Sequence, residues 1–163
     1  MNALHVVVMG VSGCGKSEVG QRIAQAFRLP LIEGDVFHPP SNIEKMRSGT
    51  PLSDEDRAGW LDVLASQLGG HPQGAVLTCS ALKRAYRDRL RAACPGLRFV
   101  HLSLSQDEAQ RRVASRPGHF YPPSLVASQF AALEDPSGER GVVVCDAMQS
   151  LDEVVTLACD GLR

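Results

Sequence analysis

The chain has almost no net charge, little aromatic content and no long apolar run. Its 163 residues include 17 Lys or Arg and 18 Asp or Glu, for a net charge of −1 at pH 7, and only 5% are aromatic. A dedicated nucleic-acid-binding protein normally carries a basic excess, which is missing here. No apolar stretch reaches the roughly 18 residues that a membrane-spanning helix needs. We therefore expect neither a nucleic-acid partner nor a membrane location.

The cysteine pattern excludes two further classes. The chain has an odd number of cysteines and no Cys-x-x-Cys pair, which argues against a disulfide framework and against a zinc site. The cysteines are Cys14, Cys79, Cys94, Cys145 and Cys159. The N-terminal segment has neither the basic stretch nor the cleavage pattern of a secretory signal. Reduced thiols in a cytoplasmic protein are the expectation.

Short apolar runs alternate with amphipathic segments along the chain. Strands are predicted at 4–9, 30–32, 75–78, 98–104 and 141–145. Helices are predicted at 17–27, 53–68, 82–93, 106–115, 124–133 and 150–162. Such alternation predicts right-handed crossovers and a parallel sheet with helices on both faces. At this length we expect residues 1–163 to form one three-layer α/β domain.

The motif that carries chemistry is a phosphate-binding loop after the first strand. Residues 10–17, GVSGCGKS, match G-x-x-x-x-G-K-[ST] at every fixed position. The glycines let backbone N–H groups surround an anion, and the following helix adds partial positive charge. Lys16 is expected to reach the β- and γ-phosphates, and Ser17 to offer a hydroxyl to Mg²⁺. The other loop residues expected to contact the nucleotide are Gly10, Ser12, Gly13, Cys14 and Gly15.

Phosphate binding alone leaves the reaction open. A GTPase would need Asn-Lys-x-Asp, which the sequence lacks, and the third predicted strand ends in Thr78 rather than in an acidic residue. Glu33 and Asp35 follow the second predicted strand, and ligands of such sheets bind at the carboxyl ends of strands. One carboxylate can organise the water around magnesium, and the other can orient an attacking hydroxyl or take its proton.

Basic residues and a Pro/Gly-bounded loop complete the candidate site. Clusters at 45–47, 83–91 and 111–116 suggest local anion sites in a near-neutral protein. Residues 116–123, RPGHFYPP, combine an arginine, a histidine and two aromatic residues between predicted helices. This composition indicates a lid that closes over the phosphates and excludes water.

Four stretches resemble the bacterial-type gluconokinases, small P-loop kinases similar to shikimate and nucleoside monophosphate kinases. They cover 10–20, 33–61, 78–91 and 116–136, and the two middle stretches are the most specific. The resemblance implies a five-stranded parallel sheet ordered 2-3-1-4-5, a lid at about 116–124 and a substrate-binding insertion at about 35–61. It also implies that ATP with Mg²⁺ phosphorylates the terminal hydroxyl of D-gluconate, giving 6-phospho-D-gluconate and ADP.

The resemblance also implies residue roles. Asp35 would be the catalytic carboxylate, and Lys16 and Arg116 would act on the transferred phosphoryl group. Arg112 would lie over the adenine, and Glu33, where the family usually has Asp, would serve the magnesium ion with Ser17. The residues implied near gluconate are His38, Lys45, Arg84, His119 and Gln129. Members are often dimers, so a homodimer is one assembly to expect.

Two alternatives stay open at this point. A related small-molecule kinase, such as a shikimate kinase, would share the loop and the fold, although residues 36–61 argue against it. A non-catalytic nucleotide sensor would also share the loop. Such a sensor has no need of the catalytic set Asp35, Lys16 and Arg116.

Overall fold

Five strands and seven helices, with one or two helices between successive strands, make up the part of the chain that a computed structural model describes, residues 3–115, 122 and 124–163. The strands are β1 (Leu4–Met9), β2 (Leu31–Glu33), β3 (Gly74–Thr78), β4 (Arg98–Ser103) and β5 (Val142–Asp146). The helices are α1 (Lys16–Phe27), α2 (Pro40–Arg47), α3 (Asp54–Gly69), α4 (Arg84–Ala93), α5 (Gln106–Ala114), α6 (Ser124–Ala132) and α7 (Leu151–Leu162). None of the helices in these ranges is long and apolar enough to cross a membrane.

The strands form one sheet in the order β2-β3-β1-β4-β5, and all four strand pairs are parallel. This confirms the order that the resemblance implied. Val8 is in register with Thr78 of β3, and Thr78 is in register with Glu33 of β2. The carboxyl ends of β1, β2 and β3 therefore meet at one edge of the sheet, which is where ligands of this architecture bind.

The core lies on both faces of the sheet. Residues 6–9 of β1 are fully buried, as expected of a central parallel strand. Val6 and Val8 pack in a cluster with residues of α1 and α7, whereas Val7 and Met9 pack in a second cluster with residues of α3 and α4. The alternation of side chains along β1 thus produces the predicted three layers.

Local sequence explains how the elements at this edge begin. Helix α3 starts after Ser53, whose hydroxyl accepts from the backbone N–H of Asp56 while the Asp56 carboxylate accepts from the N–H of Ser53. This reciprocal capping box satisfies two otherwise unpaired donors. At the end of β2, Gly34 comes so close to Thr78 that a Cβ would lie 2.2 Å from the Thr78 carbonyl oxygen. Only glycine permits this approach.

Several boundaries differ from those predicted. Strand β2 extends one residue further than expected, so Glu33 closes the strand instead of following it, because it is in register with Thr78. Strand β5 likewise includes Asp146. No element was predicted between residues 33 and 52, where the structure has a short 3-10 turn, Gly34–Phe37, and helix α2.

Candidate active site

A cavity opens at this edge, directly beside the phosphate-binding loop. One wall consists of loop residues, including Ser12, Lys16 and Ser17. The other walls come from residues 35–52, from α3, from the segment after β3 and from α6. They comprise Asp35, His38, Ile43, Met46, Pro51, Leu52, Arg57, Trp60, Ser80, Leu125, Ser128 and Gln129. The fold therefore brings residues of all four sequence stretches around one cavity.

Lys16 lies inside the curve of the phosphate-binding loop. Its Nζ donates to the carbonyl oxygens of Gly10 at 3.0 Å and of Val11 at 3.1 Å. Gly13 and Gly15 adopt φ of +87° and +94°, which other residues rarely reach. Cys14 is buried beneath the loop, so its side chain faces the core, and only its backbone can face an anion.

The two residues predicted to serve a metal ion are brought together. The Glu33 carboxylate accepts from the Ser17 hydroxyl at 3.1 Å and from the Thr78 hydroxyl at 2.6 Å. Among the described residues, no group of three or more His, Cys, Asp or Glu side chains could hold a metal ion. An oxygen pair of this kind fits Mg²⁺, which is commonly bound by one or two protein oxygens together with substrate phosphates and water.

Asp35 and His38 face each other across part of the cavity. Asp35 lies in the 3-10 turn after β2, with 82% of its side chain exposed, and its Oδ1 is 4.0 Å from Nε2 of His38. The imidazole is stacked on Trp60 with ring centroids 4.2 Å apart, and Trp60 donates its indole N–H to the Gly34 carbonyl oxygen at 2.8 Å. This aromatic pair fixes the turn that carries Asp35.

Burial lowers the pKa of His38 below its usual 6.5, the Asp35 carboxylate opposes this shift, and the Arg57 guanidinium adds to it. The imidazole is therefore neutral near pH 7. A neutral imidazole can donate one hydrogen bond and accept another, so its tautomer determines what it offers to a ligand.

Lys45 and Arg84, which are implied to lie near gluconate, are not among the described residues that line the cavity. The Lys45 ammonium donates to both carboxylate oxygens of Asp56, at 2.8 and 2.9 Å, and joins α2 to α3. This bond lowers the pKa of Asp56 to about 2. Arg84 has 66% of its side chain exposed and lies 3.7 Å from Asp88 along α4. Both cations are thus engaged with neighbouring carboxylates.

Arg57 lines the cavity together with Lys16, and its position there was not predicted from the sequence. Its Nη1 donates to the Leu52 carbonyl oxygen at 2.8 Å and to the Tyr86 hydroxyl at 3.2 Å. The Tyr86 hydroxyl in turn donates to Asp54, which also accepts from Lys83. The sequence held only a weak signal, because the helix dipole slightly disfavours a cation near the start of a helix.

Gln129 and Arg112 both reach the phosphate-binding loop from other helices. Gln129 of α6 accepts from the backbone N–H of Ser12 at 2.6 Å. Arg112 of α5 donates to the Gly13 carbonyl oxygen at 3.4 Å and to the Ala147 carbonyl oxygen at 2.9 Å. Arg116 and His119, with most of the predicted lid, lie outside the described residues.

Comparisons with known proteins agree with this arrangement. A family model described as an AAA domain matches residues 6–135. The gluconokinase of Gluconobacter oxydans is 49% identical over 143 residues, which cover 85% of this chain and 79% of that protein. The thermoresistant gluconokinase of Escherichia coli is 41% identical over 161 residues, 96% of this chain and 92% of that protein. A crystal structure of a gluconokinase from Sinorhizobium meliloti matches with a TM-score of 0.91 and 49% identity, covering 98% of this chain and 91% of that one.

Proposed function

The chain belongs to the gluconokinases, a family of small P-loop kinases, and we propose that it transfers the γ-phosphoryl group of ATP to the terminal hydroxyl of D-gluconate. The products are 6-phospho-D-gluconate and ADP. The observation that carries this proposal is one cavity in which the phosphate-binding loop, the Asp35 carboxylate and the Arg57 guanidinium all take part. These are the groups that a kinase acting on a hydroxylated acid needs.

The nucleotide side of the reaction rests on the loop. Backbone N–H groups and the Lys16 ammonium would bind the phosphates and stabilise the charge that develops during transfer. Ser17 would hold Mg²⁺, and Glu33 would act on that ion directly or through water. Bound there, Mg²⁺ neutralises phosphate charge. Arg112, beside the loop at Gly13, would lie toward the adenine.

The acceptor side rests on Asp35. A sugar hydroxyl is a weak nucleophile, and a carboxylate within hydrogen-bond reach orients it and accepts its proton as the new O–P bond forms. Such a group typically contributes about 10²- to 10⁴-fold in rate. The Gly34–Phe37 turn presents Asp35 to the cavity at the edge where the phosphate-binding loop also opens.

Arg57 would bind the gluconate carboxylate. A guanidinium matches a carboxylate in shape and can donate two parallel hydrogen bonds to it. Its Nη1 is held by Leu52 and Tyr86, whereas Nε and Nη2 make no hydrogen bond to the residues that the structure describes. Those two donors are therefore available to an acidic ligand in the cavity.

Further parts of the site rest on the resemblance. Arg116 would stabilise the transferred phosphoryl group from the lid, and His119 and Gln129 would contact gluconate. Lys45 and Arg84 are less well placed for that role than Arg57. A single domain over 1–163 and a homodimer stay predictions.

The function is tested by ADP release coupled to a spectrophotometric assay, with candidate acceptors compared at equal concentration. Gluconate, its epimers, shikimate and nucleoside monophosphates form the panel. We expect ADP release that depends on gluconate and a product phosphorylated at the terminal carbon. Turnover confined to shikimate would identify the related kinase instead, and nucleotide binding without turnover of any acceptor would indicate the sensor.

A further inference from the structure

Asn42 is a buried polar residue that the reaction described above does not use. It lies on α2 and is 2% exposed. Its amide nitrogen Nδ2 is 2.9 Å from the backbone carbonyl oxygen of Asp56 and 3.2 Å from Nδ1 of His38. A carbonyl oxygen only accepts, so the contact with Asp56 fixes the orientation of the amide.

This orientation determines the state of the imidazole. The second hydrogen on Nδ2 of Asn42 is the one available to His38, so Nδ1 of His38 is the acceptor. A neutral imidazole carries its single proton on the other nitrogen, Nε2. Nε2 is the atom that lies 4.0 Å from Oδ1 of Asp35 in the cavity. The donor of the ring therefore points toward the carboxylate.

The distance of 4.0 Å is too long for a direct hydrogen bond. A ligand hydroxyl placed between the two groups could accept from Nε2–H of His38 and donate its own proton to Asp35. In the opposite tautomer the Nε2 lone pair would compete with Asp35 for that proton. That lone pair would also face the negatively charged carboxylate of Asp35, and the two would repel each other. Only one tautomer thus agrees with the role of Asp35.

We propose that Asn42 is a positioning residue that holds His38 as the Nε2–H tautomer, so that His38 and Asp35 together orient the acceptor hydroxyl. The proposal rests on the proposed function, because it assigns the hydroxyl to the phosphoryl acceptor. The charged groups that act on the imidazole are Asp35 from its own segment and Arg57 from α3. The Asp56 carboxylate is engaged by Lys45, and only its backbone oxygen meets Asn42.

The tautomer is measured by long-range ¹H–¹⁵N correlation in ligand-free protein labelled at histidine. His38→Asn identifies the signals of this residue among the five histidines of the chain. We expect a protonated Nε2 and an unprotonated Nδ1 near pH 7. A protonated Nδ1 of His38 in the wild-type protein would overturn the proposal.

The catalytic consequence is measured with Asn42→Asp and Asn42→Leu. Aspartate offers only acceptors to Nδ1 and should draw the proton there, with kcat for gluconate falling at least about tenfold while KM for ATP stays within about twofold. Leucine makes no hydrogen bond to Nδ1, so we expect NMR signals of both tautomers of His38 and a smaller loss of kcat. Ser48→Ala, which removes hydrogen bonds to Lys45 and Thr50 at the other end of α2, should change neither readout.

The outcomes separate this inference from the proposed function. A change of tautomer in Asn42→Asp with wild-type kcat would overturn the positioning role. An equal loss of kcat in Ser48→Ala would overturn it as well, because the effect would then reflect general disturbance of α2. The Nε2–H tautomer in a wild-type protein that does not turn over gluconate would support the assignment of the proton and contradict the proposed substrate.

Discussion

Replacing Arg57 by methionine tests whether Arg57, rather than Arg84, binds the carboxylate of gluconate. Methionine keeps most of the side-chain length but removes the charge and all donors. A hydrogen bond to a charged group contributes about 1.5–3 kcal/mol. Arg57 is half-buried and its Nη1 is already used by Leu52 and Tyr86, so we take about 2–3 kcal/mol for a carboxylate held by the remaining donors. At about 1.4 kcal/mol per tenfold, KM for gluconate should rise about 30- to 150-fold.

The assay is steady-state ADP release, with gluconate varied at saturating ATP and then the reverse. KM for ATP should stay within about twofold. Tyr86→Phe removes one anchor of the guanidinium but keeps its charge, so its effect should be only a few-fold. Arg84→Met is the comparison, since the sequence favoured Arg84 and the structure leaves it exposed. A larger rise in the gluconate KM for Arg84→Met than for Arg57→Met would refute the reasoning.

Three further predictions concern the nucleotide, the core and pH. Lys16→Met should retain a native circular dichroism spectrum and less than about a tenth of the wild-type kcat, because it removes the cation inside the phosphate-binding loop. Arg87→Met should lower the free energy of unfolding in urea by about 1.5–3 kcal/mol, because it removes both hydrogen bonds from Arg87 to the Glu139 carboxylate and leaves Arg91 as the remaining partner of that carboxylate among the described residues. His38 has a pKa below its usual 6.5 in the folded state. The unfolded chain thus binds more protons just below that pH, and stability should fall as pH drops below about 6.5, by less in His38→Asn.

Most strands and helices could be predicted from the sequence because their signals are local. The β-branched runs predict the strands, and the glycine motif followed by Lys16 and Ser17 predicts how α1 begins. Ser53 and the acidic residues after it predict the start of α3, which the structure confirms. The strand order, by contrast, came from resemblance, since alternation alone does not determine which parallel strands are neighbours.

The cations of the site could not be assigned in this way. A basic cluster in the sequence shows that positive charge is present but not which way each side chain points. In the structure Lys45 pairs with Asp56, and Arg84 pairs with Asp88. Arg57 stands alone among acidic residues and shows its role only when α3 packs beside the cavity. The hydrogen bond from Asn42 to His38 is likewise visible only in three dimensions, although four residues separate the two in the chain.

The most direct test of the account is the turnover of Asp35→Asn with gluconate and ATP. Asparagine keeps the shape and one acceptor oxygen but removes the charge that would orient and deprotonate the hydroxyl. We predict a fall in kcat of at least about a hundredfold, with KM for ATP nearly unchanged. Turnover of gluconate by Asp35→Asn at close to the wild-type rate would contradict the claim that Asp35 is the catalytic carboxylate. Either Glu33 or no carboxylate at all would then serve the reaction.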